Sequence, residues 1–157
     1  MKITFIFFDK TWQPVTEIKK ADYFLRVRKT MDSNYEWTYY KLFGPRIKKE
    51  CFKDEKATIR NGKYIYYYDN GFTDSLGEYL DGELNGSWYY NNQKGKLERQ
   101  KDYNKGILIK DTSFDVTEKD DKNYKLLPGE IESEYPGGIK SWQQYLIKKI
   151  YIIPTEH

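Results

Sequence analysis

The side chains that most often carry out chemistry are thinly supplied. The chain of 157 residues has one cysteine, Cys51, and one histidine, His157, which is its last residue. A Cys-His or Ser-His pair would have to recruit His157 from the chain end, so nucleophile-and-base catalysis is not expected. Zinc lacks its usual donors, and a lone cysteine cannot close an internal disulfide. What remains is carboxylate chemistry. Glu78 with Asp81, or Asp120 with Asp121, stand close enough in sequence to hold a hard cation or to act as the acid and base of a hydrolase. Both pairs read more simply as solvated charges balanced by nearby lysines. Gly137-Gly138 would offer backbone N–H groups to an anion if a helix follows, although a plain turn explains them equally. There is no Gly-Lys-Ser/Thr phosphate loop and no dinucleotide fingerprint. The expectation is therefore no catalytic, cofactor-binding or metal-binding residue, and no cofactor.

Composition points the same way. Charged residues make up 32% and hydrophobic ones 38%, yet aromatics reach 18%, with 16 Tyr, 8 Phe and 4 Trp. Disordered chains are poor in aromatics, so a folded domain is expected. A net charge of +3 is no footprint for a nucleic-acid binder, even though basic and aromatic residues interleave in Tyr64–Tyr68 and Trp88–Tyr90. No stretch approaches the roughly 20 apolar residues of a membrane-spanning helix. The opening Lys2–Phe8 is too short for a signal sequence and reads as a strand.

The elements that position these residues are set by a repeat. Gly62–Gly71 (GKYIYYYDNG) aligns with Gly86–Gly95 (GSWYYNNQKG), and Tyr79 and Gly82 align with Tyr103 and Gly106, a period of 24 residues. A looser copy places Trp37, Tyr39, Gly44 and Phe52 opposite Tyr64, Tyr66, Gly71 and Tyr79. Each copy reads as two strands joined by a glycine-bearing turn, with Asp81-Gly82 and Lys105-Gly106 as the reverse turns between copies. Ile3–Phe8 and Tyr23–Arg28 extend the same sheet, and Lys53–Arg60 is a charged surface insertion. The expected fold is mainly β, an elongated antiparallel meander of repeated hairpins over 1–110. A polar linker or irregular segment spans 111–138. Ile139, Trp142, Leu146 and Ile150 then recur at helical spacing, predicting one C-terminal amphipathic helix and tail over 139–157.

The repeat pattern, best seen in Gly86-Ser87-Trp88-Tyr89-Tyr90 with Gly95, Tyr103 and Gly106, resembles the MORN-like repeat variant of the YwqK family of antitoxin components over Tyr35–Leu108. Phe7-Phe8-Asp9, Trp12-Gln13-Pro14 and Ala21–Phe24 look like the lead-in that precedes such repeats in bacterial envelope proteins. Glu134-Tyr135-Pro136-Gly137-Gly138, with Trp142, Tyr145-Leu146 and Pro154, is similar to the start of the C-terminal domain of TonB-family energy transducers. The strands that follow in that domain have no counterpart here. These resemblances imply a periplasmic or envelope setting and a protein partner, a toxin or an envelope assembly. The expected function is a noncatalytic interaction module. Binding of a glycan or envelope polymer through exposed Tyr and Trp is the alternative, a carboxylate hydrolase the third, and self-association through an exposed edge strand would be compatible with any of them.

Overall fold

A computed structural model describes residues 3–116. The chain divides into a unit spanning Met1–Asp121, to which these belong, and a second unit, Lys122–His157. Ten antiparallel strands form one open sheet: β1 (Ile3–Phe8), β2 (Pro14–Val15), β3 (Tyr23–Lys29), β4 (Tyr35–Lys41), β5 (Arg46–Phe52), β6 (Gly62–Tyr67), β7 (Thr73–Leu80), β8 (Glu83–Asn91), β9 (Leu97–Asn104) and β10 (Ile107–Ser113). From β3 to β10 every strand lies beside its sequence neighbour, while β1 flanks β3 and the short β2 folds back outside β1. The expected meander is what forms. β10 runs to Ser113, into the segment read as a linker. The rest of that segment beyond residue 116, and the helix expected over 139–157, lie outside the described residues.

The repeat is visible in backbone geometry. Gly62 pairs with Tyr79 and, one period later, Gly86 pairs with Tyr103. The hairpin loops 41–45, 68–72 and 92–96 share one hydrogen-bond pattern, in which the first N–H reaches the fifth carbonyl and the fourth N–H returns to the first carbonyl. The fourth position is left-handed at Gly71 (φ 89°) and Gly95 (φ 77°), a conformation that glycine enters without a Cβ clash. The same bonds recur in loops 9–13 and 30–34, where Trp12 (φ 62°) and Ser33 (φ 66°) take the left-handed position. Hairpin chemistry thus extends upstream of the repeats, without a glycine to announce it. Asp81-Gly82 and Lys105-Gly106 have positive φ at both residues, the two-residue turn whose twist suits a hairpin.

Residues paired across strands face the same side, and on one side their rings meet edge to face. Trp37, Phe52, Tyr64, Tyr79 and Trp88 follow one another at centroid separations of 5.7, 5.9, 4.6 and 5.2 Å. Tyr64 is fully buried; its hydroxyl donates to the Cys51 carbonyl at 2.8 Å, and Trp88 Nε1 donates to the Glu78 carbonyl at 3.1 Å. The insertion 53–60 is mostly exposed, as expected, but it brings Ala57 against this cluster, and the Arg60 guanidinium stands over the rings of Tyr64 and Tyr79 at 5.9 and 5.1 Å. On the opposite face Phe24 stacks on Tyr40 at 4.6 Å and packs against Phe5 and Phe7.

Gly77 makes room for the ladder. A Cβ there would lie 2.2–2.5 Å from the Trp88 ring, whose indole is held by its bond to Glu78. Gly77→Ala is expected to destabilise by roughly 3 kcal/mol through overpacking. Gly82→Ala, which meets nothing within 4 Å, is expected to cost about 1–2 kcal/mol from its left-handed φ alone. Urea unfolding of the two variants checks the order; equal losses would mean the Trp88 ring is not fixed as described.

Candidate interaction surfaces

Among the described residues two carboxylates are buried, and neither belongs to a pair singled out from the sequence. Glu36 on β4 and Glu50 on β5 point to opposite faces, because Glu36 pairs with Cys51 and Glu50 with Trp37. They cannot act on one substrate. Glu50 is held by Lys48 at 3.1 Å on the aromatic face, where the same ammonium stands 4.5 Å above the Tyr39 ring. Burial, together with the Glu50 charge, pushes the Tyr39 hydroxyl up to about 12.

Glu36 collects three cations. Arg28 grips it with Nε to Oε1 at 2.7 Å and Nη2 to Oε2 at 3.0 Å, Arg26 Nη2 reaches Oε1 at 3.3 Å, and Lys49 Nζ lies 2.5 Å from Oε2. Burial by itself would raise its pKa; the hydrogen bonds from Arg28 and Lys49 outweigh that and hold it at about 2. Burial also pushes the neighbouring Cys51 thiol up to about 11, which leaves it a poor nucleophile at neutral pH.

The carboxylates proposed from sequence are placed differently. Glu78 is exposed on β7, and Asp81 at the following turn is exposed and paired with Lys53. Asp120, Asp121, Gly137, Gly138 and His157 lie outside the described residues. Among the described residues no group of three His, Cys, Asp or Glu side chains could hold a metal ion, and no helix is long and apolar enough to cross a membrane. A depression lined by Thr4, Val27, Arg28, Lys29, Tyr35 and Glu55 encloses about 110 Å³, against the roughly 300 Å³ at which small-molecule sites begin.

The repeat aromatics are spent on one another. Tyr64 and Trp88, which occupy the same position of the two best copies, are buried, so their flat faces are closed to a ligand. Exposed rings sit elsewhere. Phe8, Tyr23 and Lys41 lie in register at one end of the sheet, which is also the end bearing loops 9–13, 41–45, 68–72 and 92–96. Along that rim Trp12 is 41% exposed, Phe43 71% and Phe72 46%, and Phe114, bonded to the Glu98 carbonyl beside the last loop, is 42% exposed. Successive tips are tied together: Lys41 Nζ to Asp69 at 2.9 Å, Asn70 Nδ2 to the Gln93 carbonyl at 2.6 Å and the Tyr68 hydroxyl to the Asn91 carbonyl at 2.6 Å. Trp12 is fixed by stacking on Tyr23 at 4.3 Å. With neighbouring strands about 4.8 Å apart, successive hairpin tips stand roughly 10 Å apart. Phe43 and Phe72 carry no periodic signal in the sequence; only the register reveals that they share a rim.

No family model matches the chain, and no curated protein or solved structure is significantly similar to it.

The depressed pKa of Glu36 sets a pH dependence. Its contribution to stability is fully present above its unfolded value near 4.5 and is lost as pH falls through about 2. In Glu36→Gln this acid-labile component, up to about 3 kcal/mol, should be missing, and the variant should be less stable at pH 7 while approaching wild type near pH 2. Denaturant midpoints measured from pH 7 to pH 2 check this; parallel curves for the two proteins would contradict it.

Proposed function

We propose that the sheet is a noncatalytic protein-interaction module of the MORN-like repeat type, which engages a protein partner through its rim of hairpin tips. The supporting observation is the placement of Trp12, Phe43, Phe72 and Phe114, exposed aromatics gathered at one end of the sheet, while the rings from Trp37 to Trp88 pack against one another. Rigidly held aromatics are the residues that most often anchor protein interfaces, since each buries a large area while freezing few rotamers. The lateral ties join the loops that carry Phe43 and Phe72 to each other and to loop 92–96, which limits the entropy lost on docking there. The buried carboxylates support the same reading, because each is neutralised by cations on its own face and the two cannot meet. By resemblance, the partner is a toxin or a component of a bacterial envelope assembly.

Gentle affinity purification from the native host, followed by mass spectrometry, tests the reading. A specific protein should accompany the wild type, and the double variant Phe43→Ser, Phe72→Ser should retain the strand signal in circular dichroism while losing roughly 10–100-fold of that partner. Recovery of the wild type alone, or undiminished capture by the double variant, would overturn the assignment to the rim.

A further inference from the structure

We infer that the face opposite the aromatic ladder carries an oxyanion site, built by Arg26, Arg28, Lys49 and Thr38 around Glu36 and suited to a phosphate group. Cross-strand pairing sets the layout. Arg26, Thr38 and Lys49 form one row across β3, β4 and β5, and Arg28, Glu36 and Cys51 form the next. Three cations meet one carboxylate in this patch, so two positive charges are left uncancelled. The carboxylate has little left to offer, since both of its oxygens already accept two bonds. The cations have donors to spare: a guanidinium carries five N–H bonds and an ammonium three.

Two further atoms mark the same place. Thr38 is 1% exposed and its Oγ1 has no hydrogen-bond partner; Arg26 Nε is likewise enclosed without one. These lie side by side in the row between the surplus charges. Buried polar atoms left unpaired are costly, and an ion that satisfies them is one of the ordinary explanations for their survival. A dianion seated between Arg26 and Lys49 would accept from Arg26, Lys49 and the Thr38 hydroxyl at once. Its charge of about −1.5 to −2 at neutral pH matches the surplus, whereas a single carboxylate would cancel half of it. The cations are reached from solvent, with the side chains of Arg26, Arg28 and Lys49 27%, 36% and 24% exposed, and an anion meets the enclosed Thr38 hydroxyl and Arg26 Nε once the Arg26 or Lys49 side chain moves aside. Arg26 is also braced, its guanidinium 5.8 Å over the Tyr40 ring that Phe24 stacks upon. For stability alone, the two-pronged grip of Arg28 would already neutralise Glu36; Arg26 and Lys49 go beyond that requirement. The site is independent of the hairpin rim and stands or falls without it.

The test is a thermal-shift and calorimetric titration of the full chain with inorganic phosphate, against chloride and acetate at matched ionic strength, with phenyl phosphate as a separate arm. Phosphate should raise the melting temperature well beyond the other two, and phenyl phosphate should match it if the site takes a phosphomonoester rather than the free ion. Thr38→Val, which keeps the side-chain shape and removes the unpaired hydroxyl, should melt at or above the wild type yet bind phosphate about five- to tenfold more weakly. Arg26→Gln leaves the Arg28–Glu36 pair in place and should abolish the phosphate-specific shift; Lys49→Gln provides the same readout should the first variant fail to fold. Glu36→Gln should melt lower without phosphate and gain more than the wild type when it is added, an outcome that a purely structural cluster would not give. Equal shifts with phosphate, chloride and acetate would overturn the inference, as would unchanged phosphate affinity in Thr38→Val or in the charge variants.

Discussion

Among the described residues nothing forms a second layer over the open sheet, so what is buried there is buried by the sheet's own side chains. Edge-to-face contact between rings on neighbouring strands meets that constraint. Each ring from Trp37 to Trp88 turns its edge to the face of the next, and the row crosses four strand boundaries without a gap. Tyrosine suits the task better than leucine. Its ring is broad enough to reach the adjacent strand, and its hydroxyl can be satisfied by a backbone carbonyl even when buried, as Tyr64 is by that of Cys51. In the ladder Tyr64 and Tyr79 take this part, each turned edge to face against its neighbour.

The two faces solve the same problem by different chemistry. On one, rings cover rings, with Arg60 and Lys48 laid over them as cationic lids. On the other, long cationic side chains converge on Glu36 in register with the buried Thr38. The second solution is the more demanding, because charges lose hydration when they are gathered and regain it only through well-placed hydrogen bonds. A face held by apolar packing alone would leave no surplus of charge. This one does, and that asymmetry gives the molecule two chemically distinct surfaces.

The sequence exposed the strands and the three repeat copies because glycine at left-handed turns and alternating aromatics are strong local signals. Gly71, Gly82, Gly95 and Gly106 each mark a turn that the backbone uses. The upstream hairpin loops escaped notice because Trp12 and Ser33 adopt the left-handed position without being glycine. Gly77 escaped for a different reason: its role is to leave space for the Trp88 ring, and a missing Cβ leaves no periodic trace. The charged patch was illegible since its members come from three strands. Arg26 and Arg28 read as solvent-side partners of Leu25 and Val27, while Glu36 reads as one more polar position beside Trp37. Only the register converts these separate alternations into a cluster.

The outer edge shows how the repeat governs exposure. β10 occupies the position that β8 holds one period earlier, with Tyr103 opposite Leu108 as Tyr79 is opposite Leu84. Leu84 packs against the aromatic cluster, whereas Leu108 is exposed together with Ile107 and Ile109, because among the described residues no strand pairs with the far side of β10. An apolar strand left in that position would invite edge pairing. Two features oppose it: the register shift between Leu108 and Lys110 breaks the line of backbone donors and acceptors, and Lys110 places a charge in the middle of the strand. At the opposite edge β2 pairs only with Phe7 and Phe8, so the rest of β1, with Ile3, Phe5 and Ile6 exposed, keeps an open apolar edge. Among the described residues the two margins therefore differ: the bulge and Lys110 oppose strand addition at β10, whereas β1 leaves an apolar edge open to it.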